Sequence, residues 1–232
     1  PPTPPLTPDD SALVAAVLAA YGEGWFPMYD PDSARLHWVQ PERRALIPLE
    51  PGRFKVSRSL RAAVRSGRFK LTTDASFARV IRACALPAKG RESTWLNDDI
   101  IALYELLHRA GHAHSVEAWL RSDGPTGSQP PVLVGGLYGL VVGSVFCGES
   151  MFSLPELGGT NASKVCLVHL VEHLRRRGFT MLDAQLSNEH LEQFGLFEVA
   201  QERYLKQLAA AKGRPREWLP FHPPSPDSAS GG

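Results

Sequence analysis

The chain has 232 residues, 43% apolar and 21% charged, with a formal net charge of +1. That balance supports one large globular domain or two small ones and excludes collagen-like, coiled-coil and wholly disordered classes. No apolar run reaches the roughly 18–20 residues of a membrane helix. Three cysteines without a C-x-x-C pair argue against a disulfide framework or a thiolate zinc site.

In chain order, residues 1–8 hold five prolines and read as a mobile start. PPTPPLTPDD has neither the basic nor the apolar region of a secretory signal, so a cytoplasmic setting is expected. An alanine-rich helix is expected over Ser11–Tyr21, stopped by Gly22 and Gly24. Short β-like runs follow at Leu36–Gln40, Ala45–Leu49 and Arg68–Thr72. Between Arg43 and Arg91 there are thirteen Lys and Arg against two acids, while the remainder of the chain carries twelve against twenty-two. Within that stretch Ser57 can cap a short helix whose Arg58, Arg61, Arg65 and Arg68 recur at three and four residues on one face. An arginine stripe with so few acids nearby suits a phosphate backbone better than salt bridges. This half reads as a small α+β domain, residues 9–91.

Asn97 caps DDIIALYELLHRAG, with two acids in the first turn and Gly111 at the end. HSVEAWL then alternates as a strand, and QPPVLVGGLYGLVVGSVFCGESMF reads as an antiparallel pair turning near Val142–Ser144. A helix follows from Asn161 to Gly178, then the strand Thr180–Gln185, a short helix Ser187–Phe194 and a last helix Gln201–Lys212. The expected fold class is α+β: a small N-terminal α+β domain, then a mixed-sheet domain over residues 92–213. The Pro/Ser/Gly-rich tail, 214–232, is expected to be flexible.

Several motifs admit a bland reading beside a chemical one. HLVEH, His169–His173, has the H-x-x-E-H pattern of inverted zinc peptidases. Val165, Val168, Val171 and Leu174 occupy one helix face, however, leaving His169, Glu172, His173 and Arg176 together on a polar face that solvent would cover. His108, His112 and His114 straddle a helix end and suit capping, or orienting Glu117, as well as they suit a metal; no metal is expected. Cys147 in VFC is apolar in context and reads as a core thiol. The glycines of GGLYGL lack the strand–turn–helix context of a phosphate loop and are expected to admit another backbone or a substrate. Two carboxylates stand out at strand ends: Glu149 in GESMF, and Asp183 in MLDAQ with Gln185 two residues on, on the same face.

GWFPMYD, HWVQPERRALIPL, STWLNDDIIALYELLHRAGHAHSVEAW, LVGGLYG, FCGESMFS, NASK and LDAQLSNEH occur in one order over residues 12–208. Across that span the chain resembles the leucyl/phenylalanyl-tRNA–protein transferases; FSLPELGGTNASK is a few residues longer than in shorter members. The resemblance implies an enzyme that moves Leu, Phe or sometimes Met from aminoacyl-tRNA onto proteins with N-terminal Arg or Lys, for N-degron-dependent degradation. It also implies a C-terminal domain similar to the acetyltransferase (GNAT-like) fold, with no coenzyme A or other cofactor and no membrane partner. The chain is expected to act as a monomer.

On matched positions, Asp183 and Gln185 look like the pair that guides the attacking amine, with Asp183 polarising the glutamine. Glu149 looks like an orienting carboxylate and Asn188 a hydrogen-bonding partner. Leu137, Met151, Leu167 and Leu170 resemble the pocket for the donor side chain. Trp38 and Trp95 resemble the aromatics that hold the terminal adenosine. Transfer of leucine onto N-terminal Asp or Glu, a non-catalytic tRNA-binding protein and a zinc peptidase are the alternatives.

Overall fold

The structure, a computed structural model, describes residues 5–30, 33, 35–86, 96–120 and 130–221. It begins with helix α1 (Pro8–Gly22), three residues earlier than the alanine pattern predicts. The reason is local: Thr7 accepts from the Asp10 amide while Asp10 reaches back to the Thr7 amide, a capping box. Strands β1 (Phe26–Asp30) and β2 (Arg35–Val39) form a separate antiparallel pair. Strand β3 (Arg43–Ile47), helix α2 (Arg58–Arg65), strand β4 (Phe69–Thr73) and helices α3 (Phe77–Ala85) and α4 (Asp98–Arg109) follow. The second half holds β5 (Ala113–Leu120), β6 (Val132–Val142), β7 (Val145–Ser153), α5 (Ala162–Arg176), β8 (Met181–Gln185), the single turn α6 (Glu189–Glu192), β9 (Phe197–Ala200) and α7 (Gln201–Lys212).

Seven strands make one mixed sheet in the order β4-β5-β6-β7-β8-β3-β9, antiparallel except for the β7–β8 pair that α5 connects. The fold is α+β, with helices packed on both faces of a mixed sheet, as the sequence reading expects. The sheet crosses the expected division near residue 91: β4 pairs with β5 at one end, and β3 lies between β8 and β9. Successive strand residues alternate between two cores. One core takes Leu46, Tyr138, Val145, Cys147 and Met181 against α1, α3, α4 and α7. The other takes Ile47, Leu137, Phe146 and Leu182 against α2 and α5.

Three sequence expectations need correction. The arginine helix ends at Arg65, and Gly67 at φ +62 turns the chain out of it, so Arg68 leads into β4 from just before its first residue instead of extending the stripe. Arg58, Arg61 and Arg65 stay on an exposed helix that buries Leu60. The polar face of α5 is only partly solvated: Glu172 and Arg176 are exposed, but His173 packs against Trp218 and Phe221. Those aromatics belong to the tail, which is docked as far as Phe221 by the Arg216 and Phe221 amides, the Trp218 indole nitrogen and the rings packed on His114, Phe146 and His173.

Candidate active site

β7 and β8 pair in parallel at only three positions, Val145, Phe146 and Cys147 with Met181, Leu182 and Asp183. Where the pairing stops, a cavity of about 990 Å³ opens. Its lining includes Gly148, Glu149 and Ser150 on β7 and Asp183 and Ala184 on β8. This is the place where a split sheet exposes main chain and strand-end side chains together.

A β-bulge shapes the β7 side. The β6–β7 register passes from Gly139↔Gly148 to Tyr138↔Ser150, so Glu149 is an extra residue. The insertion shifts the alternation by one. Cys147 and Phe152 therefore face one core, while Met151 joins Phe146 at the other. Glu149 is thereby turned toward α1 and α4, where Tyr21 donates to its Oε1 at 2.8 Å and is itself hydrogen-bonded to Tyr104. Gln185 Nε2 donates to the same oxygen, also at 2.8 Å. Burial pushes the Glu149 carboxyl up to about 7, against the hydrogen bonds from Gln185, Tyr21 and Tyr104. Burial, with the Glu149 charge, pushes both tyrosines well up, so they serve as neutral donors.

Asp183 is fully buried. Its Oδ1 accepts from Arg44 Nε and from the Gln185 main-chain amide, each at 2.9 Å. Its Oδ2 accepts from Arg44 Nη2 and the Tyr204 hydroxyl, each at 2.7 Å. Arg44 is 1% exposed, lies between the rings of Phe26 and Tyr204, and gives Nη1 to the Gly24 carbonyl. Burial alone would lower the Arg44 pKa; the charge and hydrogen bonds of Asp183, with smaller contributions from Tyr204 and Cys147, together raise it instead. Asp183 thus meets Gln185 through the main chain, whereas the sequence reading has it polarising the side-chain amide. The carboxylate steadies Gln185 at φ 62, an unusual backbone for that residue, and Glu149 aims its side chain.

Leu137, Met151, Leu167 and Leu170 all line the cavity, three of them almost wholly buried. Asn188 lines it as well, and its Oδ1 caps α6 by accepting from the Leu191 amide. Trp38 stands behind Tyr21, which its ring meets edge to face at 6.4 Å. Trp95 lies outside the described residues. His108 stacks on Phe77 and lies 4.0 Å from Asp74, His114 binds Asp74 at 2.8 Å, and Glu117 is satisfied by Ser115, Thr72 and Ser76 and not by a histidine. Among the described residues no three His, Cys, Asp or Glu gather as a metal site. Burial pushes the Cys147 thiol well up, away from a thiolate nucleophile.

Sequence reasoning missed Arg44, Tyr204, Tyr21, Tyr104 and Phe146. A lone tyrosine within the apolar runs AAYG and ALYELL is the one signal that pointed to two of them.

The site sets a polar cluster that fixes an amide beside an apolar pocket. Similarity to known proteins gives the class of enzyme that holds it. Residues 48–209 match the model of the leucyl/phenylalanyl-tRNA protein transferase family, and residues 12–42 that of its N-terminal domain. The chain belongs to this family and is an aminoacyltransferase. Leucyl/phenylalanyl-tRNA–protein transferases of Chlorobaculum parvum and Pelodictyon phaeoclathratiforme are 43% and 42% identical to it, over 85% and 84% of this chain and 94% and 93% of theirs. That of Maricaulis maris is 45% identical over 84% of each chain. Among solved structures, FemX aligns at TM-score 0.48 and 13% identity, over 82% of this chain and 69% of its own.

Proposed function

We propose that the enzyme carries Leu or Phe, and in some cases Met, from aminoacyl-tRNA to the α-amino group of proteins beginning with Arg or Lys, marking them for N-degron degradation. The observation that carries this reading is the Gln185 amide, held by Glu149 and Asp183, two carboxylates that line the same cavity as Leu137, Met151, Leu167 and Leu170. The aminoacyl side chain occupies the leucine-lined part. With Nε2 committed to Glu149, Oε1 of Gln185 is the atom left to receive a hydrogen of the incoming amine.

The amine nitrogen attacks the ester carbonyl carbon and a C–N bond forms. The C–O bond to the terminal ribose then breaks, and the proton lost by the amine ends on the departing ribose oxygen. An α-amino group ionises at about pH 7.7–8.0, so the reaction needs orientation more than a strong base. Asp183 is a positioning residue on this account. Its oxygens are taken by Arg44, Tyr204 and the Gln185 amide.

Two further features support the substrates. Glu156 and Glu189 line the cavity against Lys164, Glu149 adds a carboxyl that ionises at about 7, and the Asp183 charge is matched by Arg44, which suits a basic acceptor terminus better than an acidic one. Arg58, Arg61 and Arg65 are exposed on α2 and make no ion pair with a described acid, which suits the phosphates of tRNA. The test is transfer of labelled leucine or phenylalanine from tRNA to peptides beginning with Arg, Lys or Asp. Label on the first two alone is expected. Label on the Asp peptide would reassign the acceptor, and tight tRNA binding with no transfer would leave a binding protein.

A further inference from the structure

The family model stops at residue 209, before the segment Arg214–Phe221 that crosses the α5 face of the sheet. Arg216 anchors it, its amide donating to the Gly143 carbonyl at 2.9 Å and its Nε to the Gly178 carbonyl at 3.1 Å. Trp218 then lies over the sheet. Its indole stacks on His114 at 4.8 Å and on Phe146 at 5.4 Å, and His173 of α5 meets it edge-on at 4.8 Å. Its Nε1 donates to Asp74 Oδ2 at 2.9 Å; Asp74 also binds His114 Nδ1 and the Ser115 amide, each at 2.8 Å. The indole is thus fixed both in plane and in rotation.

Phe146 is what it presses on. This ring is fully buried and lies across Gly139, where a Cβ would come within 2.4 Å of it. Elsewhere the ring lines the cavity together with Leu137, Leu167 and Leu170. Gly139 leaves no room for the ring on the sheet side, the leucines of α5 share its apolar cluster, and Trp218 covers it from the tail.

The geometry points to Trp218 as a positioning residue for donor choice: from outside the cavity it holds Phe146 forward and so keeps the pocket the size of a leucyl side chain. This inference rests on the transfer reading given above. Removing the indole lets Phe146 withdraw, which enlarges the pocket and favours the phenylalanyl donor.

The experiment measures kcat/KM for leucyl- and phenylalanyl-tRNA with an Arg-starting peptide, in full-length wild type, Trp218→Ala, Trp218→Leu and Trp218→Phe. The Trp218→Ala ratio of leucyl to phenylalanyl transfer is expected to fall about tenfold, the worth of a methylene or so of pocket volume. The change should fall mainly on KM for the leucyl donor, with kcat for the phenylalanyl donor kept. Trp218→Phe should restore most of the ratio. Trp218→Leu keeps apolar cover but neither stacks nor donates to Asp74; it should shift the ratio in the same direction by less, and it carries the test if Trp218→Ala does not fold. Equal losses with both donors, or an unshifted ratio, would overturn the role of Trp218 while leaving the transferase reading intact. Wild type that takes neither donor would overturn the transferase reading and this inference with it.

Discussion

The two faces of the sheet meet at the same cavity but are held by opposite means. Toward α1, α4 and α7, each charged or hydroxyl group of the site is fixed by a named partner: Arg44 by Asp183, Asp183 by Tyr204, Glu149 by Tyr21 and Gln185. Toward α5, the leucines, Met151 and Phe146 are held by shape alone, with Trp218 behind them. Hydrogen bonds are directional and buried charges costly to strand, so the first face keeps one geometry. Apolar contact is non-directional and discriminates by volume, so the second can be tuned in small steps. On the proposed reading, transfer uses the first property and donor choice the second.

The largest expected effect strikes the bonded face. Asp183→Asn leaves the Arg44 guanidinium buried without its counter-charge, and the loss of a partner from such a pair costs roughly 3–5 kcal/mol. Urea unfolding should show that loss. Single-turnover transfer should fall as well, by a factor that stays level as pH rises past the amine's own pKa, because Asp183 orients and does not take the proton. A deficit that shrinks at high pH would make Asp183 a base after all. An unmoved unfolding midpoint would show that this face tolerates a stranded charge.

A smaller effect separates Glu149 from Asp183. The folded chain holds the Glu149 proton up to about pH 7, whereas the unfolded chain releases it near the ordinary 4.5. The stability that this proton lends is complete below 4.5, declines as pH rises, and is gone above 7. Over that window wild type should lose on the order of 2–3 kcal/mol relative to Glu149→Gln, which cannot titrate. Parallel stability–pH curves for the two proteins would place the carboxyl's pKa back in its usual range.

The smallest effect on the fold comes from outside both faces. Arg58→Ala, Arg61→Ala and Arg65→Ala together should leave unfolding within about 0.5 kcal/mol of wild type, as exposed changes do. The same variant should bind charged tRNA weakly. Every phosphate that goes unneutralised should flatten the salt dependence of log affinity by about 0.7–0.9. Transfer from a minimal aminoacyl-adenosine donor should persist. Equal damage with both donors would make α2 part of the packing instead of a docking surface.

Much of this was legible in the sequence, and the misses share a physical cause. α7 and the β6–β7 pair follow periodicity and turn residues, and α4 follows its Asn97 cap, all local signals. β9 has four residues and is a strand only because β3 pairs with it. α3 went unread because Ser76 makes no side-chain cap bond. Among the site residues, Asp183, Gln185 and the leucines came from family motifs. Arg44 looked like one more cation in a basic stretch, since the carboxylate that pairs with it lies 139 positions away. Arg68 failed for the opposite reason: the arginine spacing runs on past a glycine that the helix cannot cross.

The extra residue in β7 gives that strand two reading frames. Up to Cys147 the odd-numbered side chains look toward α1, and from Ser150 onward the even-numbered ones do. Deleting Gly148 would merge the frames and move Glu149 to the α5 side, sending a carboxylate to the leucines while Met151 keeps its place. The connection after Ser153, residues 154–161, can by contrast lengthen without disturbing the phase of the strand.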